Sequence, residues 1–255
     1  MLSKNELKYY SLLLLKKYRK KEKKFLVEGV KLIREALDYN YNCEIVFYTN
    51  EFLSKYESTE IFDRIKLIRK VIVKNVELKK VTDTQNPSGI VAVFNFKNNT
   101  KSKSHSSNLI VGLENISDPG NLGTIIRNCD WFGIKEILLN SNCAEIYNPK
   151  VIRASAGSIF HLKILEAENF YDELNELKSA GYKIYCSDLK GCNVFNLIID
   201  NKSVILFSNE ASGPSQKLLK IADEKITIPR LGKAESLNVA NASAVILAFL
   251  TKKIV

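Results

Sequence analysis

After residue 108 the sequence alternates between short apolar runs and longer amphipathic ones, and this alternation constrains the fold more than any other feature. The strand-like runs include LIVGLEN, EILLN, KIYCSD and SVILFSNE, and helix-like stretches lie between them. Repeated βα units with apolar strands predict a mostly parallel sheet that is covered by helices on both faces. Since ligands of such sheets bind beyond the carboxyl ends of the strands, we expect the functional site in the loops that follow them.

The part of the chain before these units reads as a separate, smaller α/β domain. A short apolar entry and a helix fit FLVEGVKLIREALDYN, and strands fit EIVFYT, KVIVKN and the end of NPSGIVAVFNF. The polar, lysine- and serine-rich stretch FKNNTKSKSHSSN that follows has no apolar periodicity, which is typical of a linker. We therefore predict a first domain over residues 1–97, a linker over 98–108 and a second domain over 109–255.

The charge of the chain favours a polyanionic partner, and nucleic acid is the first candidate. The formal net charge is +10 and the pI is near 9.2. Within the run KKYRKKEKK, at residues 16–24, we predict RNA contacts for Lys20, Lys21, Lys23 and Lys24. The alternative interpretation of this run is a solvated helix face.

The cysteines and the hydropathy of the sequence argue against several other classes of protein. The five cysteines are scattered without a CxxC pair, and only two histidines accompany them, so we expect reduced thiols and neither a disulfide framework nor a metal site. No window of 18 or more uncharged apolar residues occurs, and the N-terminus does not resemble a signal peptide. These features predict a cytoplasmic protein that does not associate with membranes.

The common nucleotide-binding motifs are absent. Gly112, Gly120 and Gly123 do not have the spacing of a dinucleotide fingerprint, and neither a P-loop nor a G-x-S-x-G motif occurs. The sequence therefore argues against an NAD enzyme, a P-loop nucleotidase and an α/β-hydrolase.

The stretch ISDPGNLGTIIRNCDWFGI combines a glycine-rich loop with a helix start. Asp118 and Pro119 suit the N-cap and first helical positions, which leaves free N–H groups where an anionic group can bind. Arg127 lies about two turns further along the helix. It is either a functional cation or one half of a helical ion pair with Asp130.

Two further loops carry polar residues. Glu210 ends a strand and enters a Gly/Pro turn, where a carboxylate also serves as a helix cap or a solvated charge. We expect Ser236 to be the N-cap of the last helix and Asn238 to lie in its first turn.

Taken in order, the three loops resemble the three motifs of the SpoU/TrmH family of RNA ribose 2'-O-methyltransferases, members of the knotted SPOUT class. The first motif is DPGNLGTIIRNCDWFG, the second LFSNEASGPS and the third IPRLGKAESLNVANASAVI. The resemblance covers the chain from Leu109 to Val255 and implies an α/β fold with a deep trefoil knot, a mostly parallel sheet and helices on both faces. The first domain is similar to the family's L30e-like α/β substrate-binding domain.

The resemblance implies S-adenosylmethionine as the cofactor, with no metal. It assigns a polar catalytic shell to Arg127, Asn121, Glu210, Ser236 and Asn238. It assigns the cofactor pocket to Leu206, Ser208, Asn209, Gly213, Ile228, Pro229, Leu237 and Asn238. Arg127 would contact the ribose and its adjacent phosphate, either as the base or as the group that orients the hydroxyl. Because a guanidinium is effectively always protonated, we favour orientation.

The chain departs from the family pattern at two positions, since Ser208 and Ala211 stand where glycine is usual. These departures bear on how closely the backbone packs against the cofactor. The resemblance also implies a homodimer through the knotted regions, and the apolar last helix fits either an interface or a core. Ribosomal RNA is the expected substrate. The alternatives are a tRNA-directed enzyme, an inactive RNA-binding assembly factor on the same fold and a small-molecule enzyme.

Overall fold

The computed structural model describes residues 3–97 and 105–252. Its strands are β1 Lys24–Glu28, β2 Cys43–Tyr48, β3 Arg69–Ile72, β4 Ile90–Asn95, β5 Leu109–Glu114, β6 Glu136–Leu139, β7 Lys163–Glu166, β8 Lys183–Asn193, β9 Ser203–Ser208 and β10 Glu224–Thr227. Its α-helices are α1 Lys4–Ser11, α2 Lys16–Glu22, α3 Val30–Asp38, α4 Asn50–Tyr56, α5 Glu60–Arg64, α6 Asn75–Leu78, α7 Pro119–Trp131, α8 Pro149–Ser155, α9 Phe170–Ser179, α10 Gln216–Ile221 and α11 Val239–Thr251.

The chain divides into two compact units. Of the described residues, 3–97 and 145–160 belong to the first unit, and 105–144 and 161–252 belong to the second. The predicted boundaries at residues 97 and 109 differ from this division, because a later segment of the chain returns to the first unit. Most of the predicted linker, residues 98–104, lies outside the described residues, as do residues 253–255 of the predicted second domain.

The described part of the first unit contains a four-stranded sheet in the order β1-β4-β2-β3. β4 runs antiparallel to both of its neighbours, and β3 runs parallel to β2. On one face of this sheet Leu26, Phe47 and Val93 are buried in a cluster with Leu7 and Leu13 from the N-terminal helical segment. The predicted strands at EIVFYT, KVIVKN and IVAVFN are therefore present as β2, β3 and β4.

Residues 145–160 complete the core of the first unit. The ring of Tyr147 stacks on Phe25 with centroids 4.3 Å apart and lies 4.4 Å from Phe96, and Phe160 meets Tyr41 edge-on at 5.0 Å. Sequence periodicity does not indicate this association, because it arises between rings that are more than fifty positions apart.

The described part of the second unit contains a six-stranded sheet in the order β10-β8-β9-β5-β6-β7, and every neighbouring pair is parallel. Ile110, Val204 and Leu206 on one face pack with Phe170 and Leu174 of α9. The alternate residues of β5 and β9, such as Val111 and Ile205, are also fully buried. Since both faces of the sheet are covered, the prediction of a parallel sheet between helices is confirmed.

Gly112 in β5 leaves room for a side chain of the neighbouring strand, because a Cβ atom there would meet a terminal methyl group of Leu206 in β9. β5 and β9 are paired along their whole length, and Glu114 pairs with Ser208 where both strands end. This pairing sets the position of the two loops that follow.

The start of the second unit includes the last residues of the predicted linker. The imidazole of His105 lies between two carboxylates, 2.6 Å from Glu136 and 2.7 Å from Glu173. Ser203 and Tyr182 donate hydrogen bonds to the carbonyls of Asn108 and Ser107. Residues 105–108 are therefore packed against the sheet of the second unit.

Candidate active site

The site lies where strands β5, β9 and β10 end, at the edge that the sequence predicts. The first motif follows β5, the second follows β9 and the third follows β10. β5 and β9 are neighbours, and β8 lies between β9 and β10. The carboxyl ends of parallel strands meet at one edge, so three segments that are far apart in sequence form one surface.

The first loop leads into α7 as its residues predict. Asp118 is the N-cap, and its carboxylate accepts a hydrogen bond of 2.8 Å from the backbone N–H of Asn121. Pro119 occupies the first helical position. This cap confirms the predicted helix start and turns the Asn121 side chain toward the second and third loops.

A chain of side-chain hydrogen bonds joins the three loops. The amide of Asn121 donates to the carboxylate of Glu210 at 3.2 Å, and the amide of Asn238 donates to the side-chain oxygen of Asn121 at 3.0 Å. The structure therefore brings together three of the five residues to which the resemblance assigns a catalytic role. Asn121 lies at the centre and contacts one residue from each of the other loops.

Arg127 lies on α7 two turns beyond Asn121, with its side chain exposed. The alternative interpretation, an ion pair with Asp130, is wrong, because Asp130 pairs with His161 at 2.8 Å. Within residues 3–97 and 105–252, the Arg127 guanidinium has neither a hydrogen bond nor an ion pair. Its five N–H donors can therefore bind an external anion or hydroxyl.

The third loop differs from the sequence expectation at the start of the last helix. Ser236 is not the N-cap of α11. The cap is Asn238, whose side-chain oxygen accepts hydrogen bonds from the backbone N–H groups of Ala240 at 2.9 Å and Asn241 at 3.4 Å. Ser236 lies exposed two residues earlier. Asn238 can cap the helix and still donate to Asn121, since its oxygen faces the helix and its nitrogen faces the loop.

The predicted cofactor residues fall into two groups by their burial. Leu206 is completely buried in the core, and Ser208 is buried at the end of β9. Ile228 and Pro229 are half-buried, and Leu237 is 48% exposed. The third loop thus offers accessible apolar surface, which suits an adenine ring.

The loop after β9 is a tight turn held by Asn209. The side-chain oxygen of Asn209 accepts a hydrogen bond of 2.8 Å from the backbone N–H of Ala211. Its carbonyl accepts a bond of 2.8 Å from Gly213, which has φ of +62° and so favours glycine. Ala211 is exposed, and its departure from the family pattern fits this turn without a steric conflict.

The four lysines with predicted RNA contacts do not share one environment. Lys20 and Lys21 are exposed on α2, and Lys23 is exposed just after it with a left-handed backbone. Lys24 is half-buried and pairs with Glu44 at 2.5 Å. Lys24 is therefore held inside the first unit, and the other three remain the better candidates for contacts with a polyanion.

Sequence reasoning missed three polar residues that build the site. Glu114 is completely buried at the end of β5 and accepts hydrogen bonds from Tyr171 and Ser215. Asn128 on α7 donates to the Ala240 carbonyl at 2.9 Å and to Ser243 at 3.0 Å, which fixes α7 against α11. Asn115 has a left-handed backbone with φ of 59°. For these three residues the sequence contained one signal, which is the carboxylate of Glu114 at the end of an otherwise apolar strand.

Burial raises the pKa of the Cys143 thiol to about 11, and burial also raises the pKa of Cys129. Every cysteine lies within the described residues, and none forms a disulfide.

In the described ranges no cluster of three or more potential metal-ligating side chains occurs. None of the helices in those ranges has both the length and the apolar character needed to cross a bilayer.

Comparison with known proteins identifies the family to which this chain belongs. Residues 108–248 match the SpoU rRNA Methylase family, and residues 4–92 match the MRM3-like substrate binding domain. The chain is 31% identical over 236 residues to the 23S rRNA (guanosine(2553)-2'-O)-methyltransferase RlmP of Bacillus subtilis, and the match covers 92% of this chain and 91% of that protein.

Two further proteins agree. A 23S rRNA (uridine(2479)-2'-O)-methyltransferase of Streptomyces viridochromogenes is 27% identical over 232 residues, which cover 88% of this chain and 80% of that protein. The crystal structure of an AdoMet-bound rRNA methyltransferase from Sinorhizobium meliloti superimposes with a TM-score of 0.84 at 25% identity, over 100% of this chain and 97% of that one.

These matches confirm the predicted fold class, a SPOUT α/β-knot domain together with a small N-terminal α/β substrate-binding domain. The family match spans more than half of the chain and contains all three loops of the hydrogen-bonded site. The protein is therefore a member of the SpoU rRNA methylase family.

Proposed function

We propose that this protein transfers the methyl group of S-adenosylmethionine to a ribose 2'-hydroxyl of ribosomal RNA. The observation that carries the proposal is the chain of hydrogen bonds from Glu210 through Asn121 to Asn238. Asn121 lies on the same helix as Arg127, which is exposed. The relatives from Bacillus subtilis and Streptomyces viridochromogenes are 23S rRNA 2'-O-methyltransferases. Family membership and site geometry therefore support the same reaction.

The residues at the strand ends suit the proposed cofactor. Asn209 and Gly213 form a tight turn directly after Ser208, at the end of β9. Ile228, Pro229 and Leu237 supply apolar surface, and Asn238 supplies a polar edge. Leu206 is buried behind this surface. S-adenosylmethionine supplies the electrophilic methyl group, and the chain supplies binding and alignment.

Arg127 would act on the RNA. Its guanidinium stays charged at physiological pH and presents donors in a fixed fork, which matches a phosphate and a neighbouring ribose oxygen. A charge that develops on the 2'-oxygen during transfer would be stabilised by these donors. Glu210, Asn121 and Asn238 hold one another in place, and Ser236, exposed in the third loop, is the remaining predicted member of this shell.

A homodimer is part of the proposal. α11 packs against α7, and Ile246, Leu247 and Leu250 of α11 are completely buried. On the exposed side Trp131, one turn after Arg127 on α7, is 80% exposed. A large apolar side chain that is exposed beside the candidate site favours an interface with a second copy. The cytoplasmic location stays a prediction.

The proposal is tested by methylation mapping and calorimetry. Ribose methylation is mapped across all RNA of cells with and without the gene, and we expect one or few ribosomal positions to lose their methyl group. Calorimetry of the purified protein should show S-adenosylmethionine binding. A protein that binds RNA but has no affinity for the cofactor would contradict the proposal and favour an assembly factor. Loss of methylation in tRNA alone would favour the tRNA-directed alternative.

A further inference from the structure

Glu114 is a buried carboxylate with three hydrogen-bond donors around it. One oxygen accepts from the Tyr171 hydroxyl at 2.8 Å and from the Ser215 hydroxyl at 2.6 Å. The other oxygen accepts from the backbone N–H of Ser215 at 3.0 Å. No part of Glu114 is exposed. Two of the three donors belong to Ser215, so the carboxylate binds the backbone and the side chain of a single residue 101 positions away.

Ser215 is the point at which the second motif loop ends. It is the N-cap of α10, and its hydroxyl oxygen accepts from the backbone N–H of Leu218 at 3.1 Å while its proton is donated to Glu114. Directly before it stand Gly213 and Pro214. The bonds to Glu114 therefore fix the end of the loop that carries Asn209 and Glu210.

The next residue along the chain holds the beginning of the same loop. The carbonyl of Asn115 accepts a hydrogen bond of 3.4 Å from the side chain of Asn209. Asn115 is itself fixed, because its side chain accepts from Asn140 at 2.8 Å and from Asn142 at 3.1 Å. Two consecutive residues at the end of β5 thus hold both ends of the loop that follows β9.

We propose that Glu114 is a positioning residue that holds the 209–215 loop against the end of β5, so that Glu210 meets Asn121 and the turn is formed before the cofactor binds. Only one consequence of this inference rests on the proposed function, namely that the ordered loop strengthens the binding of S-adenosylmethionine. A loop that is already ordered loses less conformational entropy on binding, so its order contributes to affinity. Glu114 itself acts through Ser215.

Hydrogen exchange of the cofactor-free protein tests the positioning directly. Glu114→Met replaces the carboxylate with an apolar side chain of similar length and leaves both Ser215 donors without an acceptor. We expect the amides of residues 211–213 and 215 to lose protection, while the amides of β5 and β9 keep theirs. Affinity for S-adenosylmethionine should fall about tenfold, the order of effect of one hydrogen bond to a charged group.

Four variants separate positioning from general stability. Tyr171→Phe removes one donor from the same carboxylate and a 3.4 Å contact with the Ser215 hydroxyl, but it leaves both hydrogen bonds from Ser215 to Glu114. It should therefore lower the melting temperature and leave loop protection and cofactor affinity close to those of the wild type. Glu114→Gln should retain protection, since its amide oxygen can accept from the Ser215 N–H while its nitrogen donates to the hydroxyls. If Glu114→Met does not fold, Ser215→Ala should loosen the loop and Ser215→Thr should retain it.

Wild-type loop protection in Glu114→Met, or an equal loss in Tyr171→Phe, would overturn the inference. In the serine pair, the same protection in Ser215→Ala and Ser215→Thr would also overturn it. A wild-type protein that binds no S-adenosylmethionine would contradict the proposed function instead, and the exchange experiment would still decide the role of Glu114.

Discussion

Arg19 and Lys20 are neighbours in one cationic run, yet their environments are opposite. Arg19 is 1% exposed, and its guanidinium donates hydrogen bonds to Glu145 at 2.6 Å and to the carbonyls of Leu13 and Leu14 at 2.9 and 2.8 Å. Lys20 is exposed. A buried guanidinium needs its partner, because an unpaired charge inside a protein is strongly unfavourable. Arg19 is therefore structural, although the sequence presents it like the other cations of the run.

The buried pair predicts a large effect on stability. Glu145→Gln removes the charge that faces Arg19, and we expect the free energy of unfolding to fall by about 3–5 kcal/mol. Urea denaturation measures this change. In the double variant Arg19→Met with Glu145→Gln, no buried charge remains, so part of the stability should return. A single variant as stable as the wild type would contradict the structural role of the pair.

Arg127 is the residue on which the proposed chemistry depends. Arg127→Ala should lower the methyl-transfer rate by about 10²–10³, the usual effect of losing a donor to a developing negative charge. Cofactor affinity should not change. Arg127→Lys keeps the charge but loses the planar fork, so a smaller loss is expected. The exposed Lys135→Ala serves as the control and should keep the parental rate. An Arg127→Ala enzyme at full rate would refute the assignment.

At the scale of elements, caps decide where the functional helices begin. Asp118 and Pro119 define the start of α7, and both are readable from the sequence because capping depends on adjacent residues. For α11 the sequence predicted Ser236 as the cap, but Asn238 holds that position. The amide of Asn238 also donates to Asn121, a contact that joins segments 117 positions apart.

The capping box of α1 predicts a pH dependence of stability. Glu6 accepts from the backbone N–H of Ser3 at 3.0 Å and pairs with Arg69 at 2.7 Å, and these contacts lower its pKa from 4.5 to about 2. Since the folded pKa is below the unfolded one, the carboxylate contributes stability above pH 4.5, which is lost as the pH falls toward 2.

Melting temperatures of the wild type and Glu6→Gln, measured from pH 7 down to the acid limit, check this dependence. Above about pH 4.5 the wild type should melt at a higher temperature than Glu6→Gln, and the two curves should converge at lower pH. Gln still accepts from the Ser3 N–H, so the separation reports the charge alone. A separation that does not vary with pH would contradict this explanation.

At the scale of the whole molecule, each unit is assembled from segments that are distant in sequence. Residues 145–160 join the first unit through Tyr147, Phe160 and Glu145, although they lie between strands β6 and β7 of the second. The second unit likewise gathers its site from the ends of three strands. Each of the two units has enough apolar residues for its own core.

The exposed lysines of the first unit predict salt-dependent RNA binding. Neutralising Lys20, Lys21 and Lys23 should weaken binding and reduce the dependence of log K on log[salt] by about 0.7–0.9 per lost phosphate contact. The same change at Lys31, Lys55 and Lys66, exposed elsewhere on this unit, is the control. Titrations at several salt concentrations give both slopes. An unchanged slope in the first variant would place the RNA surface elsewhere.

The exposed tryptophan predicts the oligomeric state. Trp131→Glu places a charge on the proposed interface, so light scattering after size exclusion should show a monomer where the wild type is a dimer. Leu67→Glu, at a side chain of the first unit that is also exposed, should leave the mass unchanged. A wild-type protein that is monomeric and active would rule out the dimer.

By itself, the sequence determined the parallel α/β class, the three loops of the site and the start of α7. These features depend on local periodicity, turn chemistry and capping, which act between residues a few positions apart. Only the tertiary structure decided that Arg19 is buried, that residues 145–160 belong to the first unit, that Asn238 contacts Asn121 and that Glu114 holds Ser215. Each of these depends on burial and hydrogen bonding between distant segments, for which a linear pattern carries no period.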